Sequence, residues 1–296
     1  MNKITNIINS NSITLARALL ASGTLSTLLF TSVHDLFPDF HLARVSENKN
    51  GLMHLNYFLW FENAYIPYVI SIIILLAVTL GFYPRIMCFL HSITSYSVFY
   101  SMLIVEGGDQ INIILTLLLV PICLLDNRKN GWITKEKTDC LNNNNWLVVN
   151  ASIALLFIQI QMSVLYFNAG VAKMYAPEWS NGTAVYYWFF DPLFGSPDLF
   201  INTIGFLFKN PYSVSIINWA VIFLEIALFI GVFLKQKNKY SLFLSGVVFH
   251  FLIILIHGLP AFFLSMVGGL ILYFWDLELT INQNLKQLKI ILKCKK

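Results

Sequence analysis

Apolar runs of about 20 residues, separated by short polar segments, dominate this sequence. A helix needs about 20 apolar residues to cross the hydrocarbon core of a bilayer. Two stretches are too long for one crossing, and Gly and Pro interrupt them at Gly81–Arg85 and His257–Pro260. The pattern therefore predicts an all-α fold, a polytopic membrane helical bundle of about eight transmembrane helices. The predicted spans are 13–33, 62–82, 85–105, 110–126, 147–174, 212–234, 241–257 and 260–276.

Composition indicates that these runs face lipid. Hydrophobic residues make up 57% of the 296 residues and charged residues only 11%, against about 25% charged residues in soluble domains. No polar stretch is long enough for a separate soluble domain. We expect one membrane domain over 1–276 and a basic amphipathic cytoplasmic tail over 277–296. The expected location is the bacterial plasma membrane, with membrane lipid as the surrounding partner and no nucleic acid.

Positive charge predicts the orientation of the spans. Cytoplasmic loops of membrane proteins carry an excess of Lys and Arg. With the N-terminus inside, 14 of the 19 Lys and Arg residues fall in cytoplasmic segments, and the outside loops hold only Arg44, Lys49 and Lys209. Both termini are then cytoplasmic. Because basic segments flank 241–276 on both sides, that stretch must contain two helices rather than one.

Three further segments have their own interpretation. The N-terminal run is a retained first helix rather than a signal peptide, because Arg17 lies inside it and no small-residue cleavage site follows. Segment 183–210 is rich in aromatic residues, which favours interfacial or re-entrant structure on the outer face. The tail spaces Leu and Ile among lysines, which is typical of a helix on the inner leaflet. The cysteines, expected near the inner side as reduced thiols, are Cys88, Cys123, Cys140 and Cys294.

Lys173 is the residue least compatible with a plain anchor helix. It lies near the end of the apolar run from Trp146 to Tyr175, and a lysine at the mouth of a membrane helix is costly unless something uses it. The acids Glu106 and Asp109 are expected on the same outer side. They would hold the lysine charged, whereas burial alone would favour the neutral amine, which is a base. Both alternatives are open at this stage.

Glu225 is the one carboxylate expected deep within a span. We predict that it pairs with His250 or with Arg17, and a helix-packing role is the alternative. Arg17 itself is either a partner in such a pair or an anchor whose charged end reaches the inner surface.

Two further pairs of polar residues are each spaced seven apart and therefore share a helix face. They are His250 with His257, and Gln161 with Asn168. Both histidines are expected to line one cavity, with His257 at its outer mouth. The amides either bind substrate or join helices. Because no third ligand occurs at a suitable spacing, we expect no metal site.

The segment around Lys173 carries a resemblance to a known family. Residues 166–182, which begin Tyr-Phe-Asn-Ala-Gly-Val-Ala-Lys and include Trp179, are similar to the signature of the horizontally transferred transmembrane (HTTM) domain. This is the membrane domain of vitamin K-dependent gamma-carboxylases and their bacterial relatives. The resemblance implies that Lys173 is a base toward a quinol, in an active site facing away from the cytoplasm. It spans 12–276, with shorter similarities at Ala16–Leu20, Asp109–Asn112, Asp126–Asn127 and Phe249–His250.

The sequence departs from the carboxylases in a way that favours one bacterial subgroup. Asp109 and Gln110 stand where carboxylases carry a functional histidine, and Ala172 stands where a second lysine is frequent. The short length and the basic loop Asn127–Lys137 resemble the sporulation-delaying protein B family. That resemblance implies production of a secreted antimicrobial peptide, with an exported precursor peptide as substrate and a small cytosolic partner protein.

Three functions follow as hypotheses. The chain is a maturation factor for a secreted antimicrobial peptide, a vitamin K/quinol-dependent carboxylase-like enzyme that modifies a peptide, or a non-enzymatic membrane immunity or toxin-binding protein. The candidate catalytic residues are Lys173, Asp109, Gln110, His250 and His257. The candidate substrate-binding residues are Asn168, Gln161, Glu178, Trp179 and Glu225.

Overall fold

Helices form nearly all of the regular structure of this chain. The computed structural model describes residues 3–47, 50–134 and 145–293, and within them the β-contact is an isolated bridge between Phe82 and Asn130. The predicted all-α fold class is confirmed for these residues. The α-helices are α1 Lys3–Asn9, α2 Ser12–Phe30, α3 Val33–Leu36, α4 Asp39–Glu47, α5 Tyr65–Thr79, α6 Pro84–Ser101, α7 Gly107–Cys123, α8 Asn145–Tyr175, α9 Pro177–Ser180, α10 Ala184–Phe189, α11 Asp198–Lys209, α12 Pro211–Ile230, α13 Gln236–His257, α14 Pro260–Phe274 and α15 Ile281–Lys293. Short 3₁₀ helices lie at Gly51–Leu55, Tyr57–Trp60 and Gly231–Phe233.

A helix occupies each position at which the apolar runs predict a span. Four of these helices are long and apolar enough to cross a membrane: α2, most of α8, α12 with the 3₁₀ turn that follows it, and α13. The apolar helices α5, α7 and α14 are shorter, with 10–17 residues each. The described part of the chain therefore contains four helices of membrane-crossing length and composition, and the count of eight spans stays a prediction.

Both predicted breaks are confirmed, and the residues that cause them are glycine and proline. α5 ends before Gly81, whose φ of 78° belongs to the left-handed region, and Pro84 opens α6. α13 ends at Gly258, which has a φ of 66°, and Pro260 opens α14. Glycine tolerates a positive φ because it has no Cβ, and proline suits the first helical turn, where its missing N–H needs no partner.

α14 is the central helix of the bundle. It packs against α2, α7, α8 and α13, and Leu270 and Tyr273 on it are almost fully buried. Its contact with α2 is close because Gly23 has no side chain: a Cβ there would collide with the Ser265 hydroxyl and lie 3.0 Å from the Ala261 carbonyl oxygen. Small residues at such crossings let helix backbones approach.

A second close contact joins α8 to α12. Gly170 lies where an added Cβ would be 2.8 Å from the Ile226 side chain and 3.5 Å from the Cβ of Glu225. The glycine therefore brings the last turns of α8 against the middle of α12. This approach sets the position of Lys173, one turn further along α8.

Buried polar contacts attach the N-terminal and C-terminal segments of the chain to the rest of the bundle. Arg128 forms an ion pair of 2.6 Å with Asp126 and donates to the backbone oxygens of Ser10 and Ile133. Asn284 on α15 is fully buried and hydrogen bonds with Tyr240 on α13. The predicted tail thus contains a helix anchored to the bundle. Cys88 and Cys123 are buried free thiols, and Cys140 and Cys294 lie outside the described residues.

We predict that Gly23→Ala destabilises the protein by about 1–3 kcal/mol, since α2 and α14 must separate to admit the Cβ. Gly205→Ala on α11 is the matched control, because the atoms nearest its added Cβ are 3.8 Å away. That change should be neutral or stabilising by up to about 1 kcal/mol through helix propensity. The measurement is the free energy of unfolding in detergent micelles. Equal effects of the two substitutions would contradict the close α2–α14 contact.

Candidate functional site

A cavity of about 850 Å³ lies between the last turns of α8 and the helices α7, α12, α13 and α14. Residues 179–208 contribute further wall residues, among them Trp188 and Phe208, and the lining is mostly apolar. Volumes of about 300–1,000 Å³ are typical of ligand sites. Eight of the ten candidate site residues line this cavity: Lys173, Gln110, His250, His257, Asn168, Gln161, Trp179 and Glu225.

An ion pair between Lys173 and Glu225 joins α8 to α12 at the cavity wall. The Lys173 Nζ lies 2.8 Å from the Glu225 Oε1, and the two side chains are 22% and 6% exposed. The Nζ is also 5.1 Å from the centroid of the Trp179 ring. Asn218 holds this tryptophan in place by donating to its backbone oxygen at 2.7 Å. Residues of α8, α9 and α12 therefore hold the Lys173 ammonium group in place.

This geometry decides the Glu225 pairing hypothesis and identifies the acid that contacts Lys173, which the sequence had left open. Glu225 pairs with Lys173, so the predicted pairing with His250 or Arg17 is wrong. The carboxylate that contacts Lys173 belongs to the neighbouring helix α12, and not to Glu106 or Asp109. The physical reason is the close approach of α8 and α12 at Gly170, which places the middle of α12 beside the end of α8.

The ion pair between Lys173 and Glu225 allows the cavity to bind an oxygen atom of a ligand or to take part in proton transfer. A charged ammonium in an apolar wall binds a carbonyl or carboxylate oxygen more strongly than it would in water, because the local dielectric is low. Proton transfer from Lys173 to Glu225 would instead produce a neutral amine, which is a general base. The paired carboxylate keeps the lysine in position, and at 2.8 Å it is close enough to accept a proton from it.

A second polar contact, between Tyr166 and His250, lies in the same wall. The Tyr166 hydroxyl and the His250 Nε2 are 3.0 Å apart, and both side chains are at most 2% exposed. Tyr166 lies seven residues before Lys173 on the same face of α8, and it lines the same cavity as Glu225. Sequence reasoning did not select Tyr166 as a site residue, although its spacing from Lys173 carried the signal.

His257, at the end of α13, contacts two residues of the segment 179–208, which contributes to the cavity wall. Its Nδ1 lies 2.7 Å from the Phe194 carbonyl oxygen, and its ring packs edge-on against Trp188 at 6.1 Å. Asp191 closes the same turn, because its carboxylate accepts from the backbone N–H groups of Phe194 and Leu193, at 2.8 Å each. Those hydrogen bonds lower the pKa of Asp191.

Two candidate residues, Asp109 and Glu178, are not among the residues that line the cavity. Asp109 is buried in the first turn of α7 and accepts from the backbone N–H of Glu106 at 3.0 Å, so its carboxylate caps the helix that carries Gln110. Burial and the charge of Asp109 raise the pKa of Glu106 to about 7. Glu178 is exposed in the first turn of α9.

The described residues contain no cluster of three or more His, Cys, Asp or Glu side chains suited to a metal ion. The polar groups of the cavity are instead an ion pair, a tyrosine–histidine pair and amides. That set suits hydrogen bonding and proton transfer.

Two curated relatives from Bacillus subtilis (strain 168) are similar to the chain along most of its length. The sporulation-delaying protein SdpB is 31% identical over 293 residues, which cover 93% of this chain and 84% of SdpB. The uncharacterized protein YitO is 32% identical over 281 residues, which cover 90% of this chain and 86% of YitO. No family model and no solved structure matches the chain. The resemblance to the HTTM domain therefore stays a prediction.

We predict that Lys173→Met and Glu225→Gln are coupled in a double-mutant cycle. Each single change leaves one partner of the 2.8 Å pair without its counter-charge, and the double change removes both charges. The expected interaction free energy is roughly 0.5–3 kcal/mol. The measurement is unfolding of the four proteins in detergent micelles.

A matched control combines Glu225→Gln with Lys209→Met, because Lys209 lies over the Phe190 ring instead. These two changes should be additive. Additivity of Lys173→Met with Glu225→Gln would contradict the ion pair.

Proposed function

We infer the function of this chain from one premise, which its relatives establish: it belongs to the family of the sporulation-delaying protein SdpB. It is a membrane protein, and its role is in the production or maturation of a secreted antimicrobial peptide of the sporulation-delaying type. The observation that carries this proposal is the Lys173–Glu225 pair in the wall of a large apolar cavity. Membrane proteins place charged residues at such depth at functional sites.

The proposed topology has eight spans, with both termini in the cytoplasm of a bacterial cell. The positive charge of the loops supports this orientation, and the helices at all eight predicted positions support the count. In this arrangement the end of α8 that carries Lys173 faces outward. The basic helix α15 lies at the inner leaflet, where Lys286 and Lys289 attract anionic lipid.

The proposed substrate is an exported precursor peptide, which reaches the cavity from the outer side. Apolar walls suit the hydrophobic side chains of a membrane-active peptide. Asn168, Gln161 and Gln110 offer amide donors and acceptors to its backbone. Lys173 binds a carbonyl oxygen or takes a proton, and Glu225 positions it. His250 and His257 are the other candidate proton carriers, while a small cytosolic protein is the proposed partner on the inner side.

The second candidate is a quinol-dependent carboxylase-like enzyme. The size of the cavity and its aromatic residues Trp188, Phe189 and Phe249 favour it, because flat apolar rings pack well against aromatic walls. By the resemblance to the HTTM domain, these residues would hold the ring and Lys173 would accept a proton. A bound quinol would supply the reducing power for the reaction.

We predict that Lys173→Met abolishes mature peptide in cells that co-express the precursor, while the protein stays folded and inserted. Lys209→Met is the matched control, because that lysine lies over the Phe190 ring and not in the ion pair, and it should leave the peptide yield unchanged. The measurement is mass spectrometry of the secreted peptide with immunoblotting of the membrane fraction.

Three outcomes separate the hypotheses. A normal yield of mature peptide from the Lys173→Met variant would contradict the proposed maturation role. An added carboxylate on the wild-type peptide would favour the carboxylase-like enzyme. A deletion strain that becomes sensitive to the peptide, with its peptide output intact, would favour an immunity protein.

A further inference from the structure

The wall of the cavity beside Lys173 has an opening along the seam between α7 and α8. Four side chains of this seam both line the cavity and are exposed: Gln110 and Ile114 on α7, and Val164 and Asn168 on α8. Ile114 is 37% exposed and Val164 is 45% exposed. Tyr166 and Met266 line the same cavity and are 1% and 2% exposed. Lining the cavity is therefore not enough to expose a side chain, and the seam must also be open to the surroundings.

The four side chains face each other in pairs across the seam. The first turns of α7 and the last turns of α8 line one cavity, so the two helices run in opposite directions. They meet at Gly269 on α14, where an added Cβ would lie 2.9 Å from the Met162 side chain and 3.3 Å from the Leu115 side chain. Counted from this level toward the end of α8, the first pair is Ile114 with Val164. The second pair is Gln110 with Asn168, about 6 Å further along at 1.5 Å per residue.

The opening ends one helical turn below the first pair. Leu117 on α7 and Ile160 on α8 lie at that lower level and are 60% and 45% exposed, but neither lines the cavity. The lower edge of the opening is thus apolar and its upper edge carries two amides. Because α8 is long and apolar enough to cross a membrane, the seam faces the bilayer in the proposed topology, with its amides toward the polar interface.

The amides of this region lack partners within the protein. The side chains of Gln110, Gln161 and Asn168 line the cavity and form no hydrogen bond with another described residue. An acyl chain between them would leave them unsatisfied. A peptide segment instead offers backbone N–H and C=O groups that pair with amides, and such backbone groups themselves need partners inside a bilayer. The amides and the backbone therefore satisfy each other.

We propose that the seam between α7 and α8 is a lateral portal, through which an apolar segment of the precursor peptide passes from the outer leaflet into the cavity. The other exposed wall side chains, Trp188, Leu207 and Leu252, carry no amide, so the amides single out this seam. The identity of the peptide rests on the proposed function, whereas the opening is a property of the fold. The two parts are tested separately.

The opening is tested with a thiol inside the cavity of the purified full-length protein in lipid vesicles. Met266→Cys supplies it, because Met266 lies on the central helix α14 and lines the cavity. N-cyclohexylmaleimide, which dissolves in bilayers, should label this thiol, as measured by mass spectrometry of the segment around position 266. Val164→Trp should slow the labelling several-fold, because the larger side chain fills the opening. Ile160→Trp is the matched control and should leave the rate unchanged.

A second variant covers the case in which Val164→Trp does not fold. Ile114→Trp narrows the same opening from α7, and Leu117→Trp, one turn away and outside the cavity wall, is its control. Equal labelling rates in the variants and their controls would overturn the opening. So would a thiol at position 266 that the maleimide does not label.

The passage of the peptide is tested in cells that co-express the precursor. Val164→Trp should lower the yield of mature peptide several-fold, and Ile160→Trp should leave it unchanged. A normal yield from Val164→Trp, with the loss predicted for Lys173→Met, would overturn the portal and leave the proposed function in place. If labelling were slowed in that case, the opening would admit lipid rather than the peptide. Normal yields from both Val164→Trp and Lys173→Met would overturn the proposed function itself.

Discussion

The free-energy cost of burying a charged side chain in an apolar helical bundle constrains how the helices of this protein pack. A buried charge is tolerated when an opposite charge or several hydrogen bonds accompany it. Lys173 meets this condition through Glu225 on the neighbouring helix. Arg128 meets it through Asp126 and two backbone oxygens. The first pair joins α8 to α12, and Arg128 joins the loop after α7 to the N-terminal segment. The positions of the charged residues therefore help to determine which segments pack together.

Small residues make these pairings possible. Gly170 lets α8 approach α12 closely enough for a lysine to reach a carboxylate in the middle of the next helix. The helices α7 and α13 complete the cavity, and the contact between Tyr166 and His250 joins α8 to α13. Packing, charge pairing and cavity formation are therefore consequences of one arrangement of helices.

The positions of the helices could be predicted from the sequence because their cause is local. Apolar runs determine where the helices lie, and Gly258 and Pro260 determine where α13 ends and α14 begins. Lys173 was recognisable because a lysine is expensive at the end of an apolar run. Its partner was not, since Glu225 lies 52 residues away along the chain. Which helices pack together depends on long-range contacts that apolar periodicity does not encode.

The role of Asp109 illustrates the same limit. Asp109 was a candidate because it stands where the carboxylases carry a functional histidine and on the same predicted side as Lys173, whereas its carboxylate caps the first turn of α7. Tyr166 was overlooked for the opposite reason, because a tyrosine within an apolar run is ordinary in composition. Its significance comes from His250, which lies 84 residues away. Side-chain roles thus required the packed structure, which brings eight of the ten candidate residues to one cavity; the sequence had placed only His250 and His257 together in a common cavity.

The central claim is that the cavity beside the Lys173–Glu225 pair receives the precursor peptide. A photo-crosslinking amino acid at position 168, in the cavity wall, tests it in cells that co-express the precursor. Position 223 is the control, because Phe223 is 65% exposed on α12 and is not a cavity residue. We expect a crosslink to the precursor from position 168 and none from position 223. Mature peptide with no crosslink from position 168, or equal crosslinks from both positions, would contradict it.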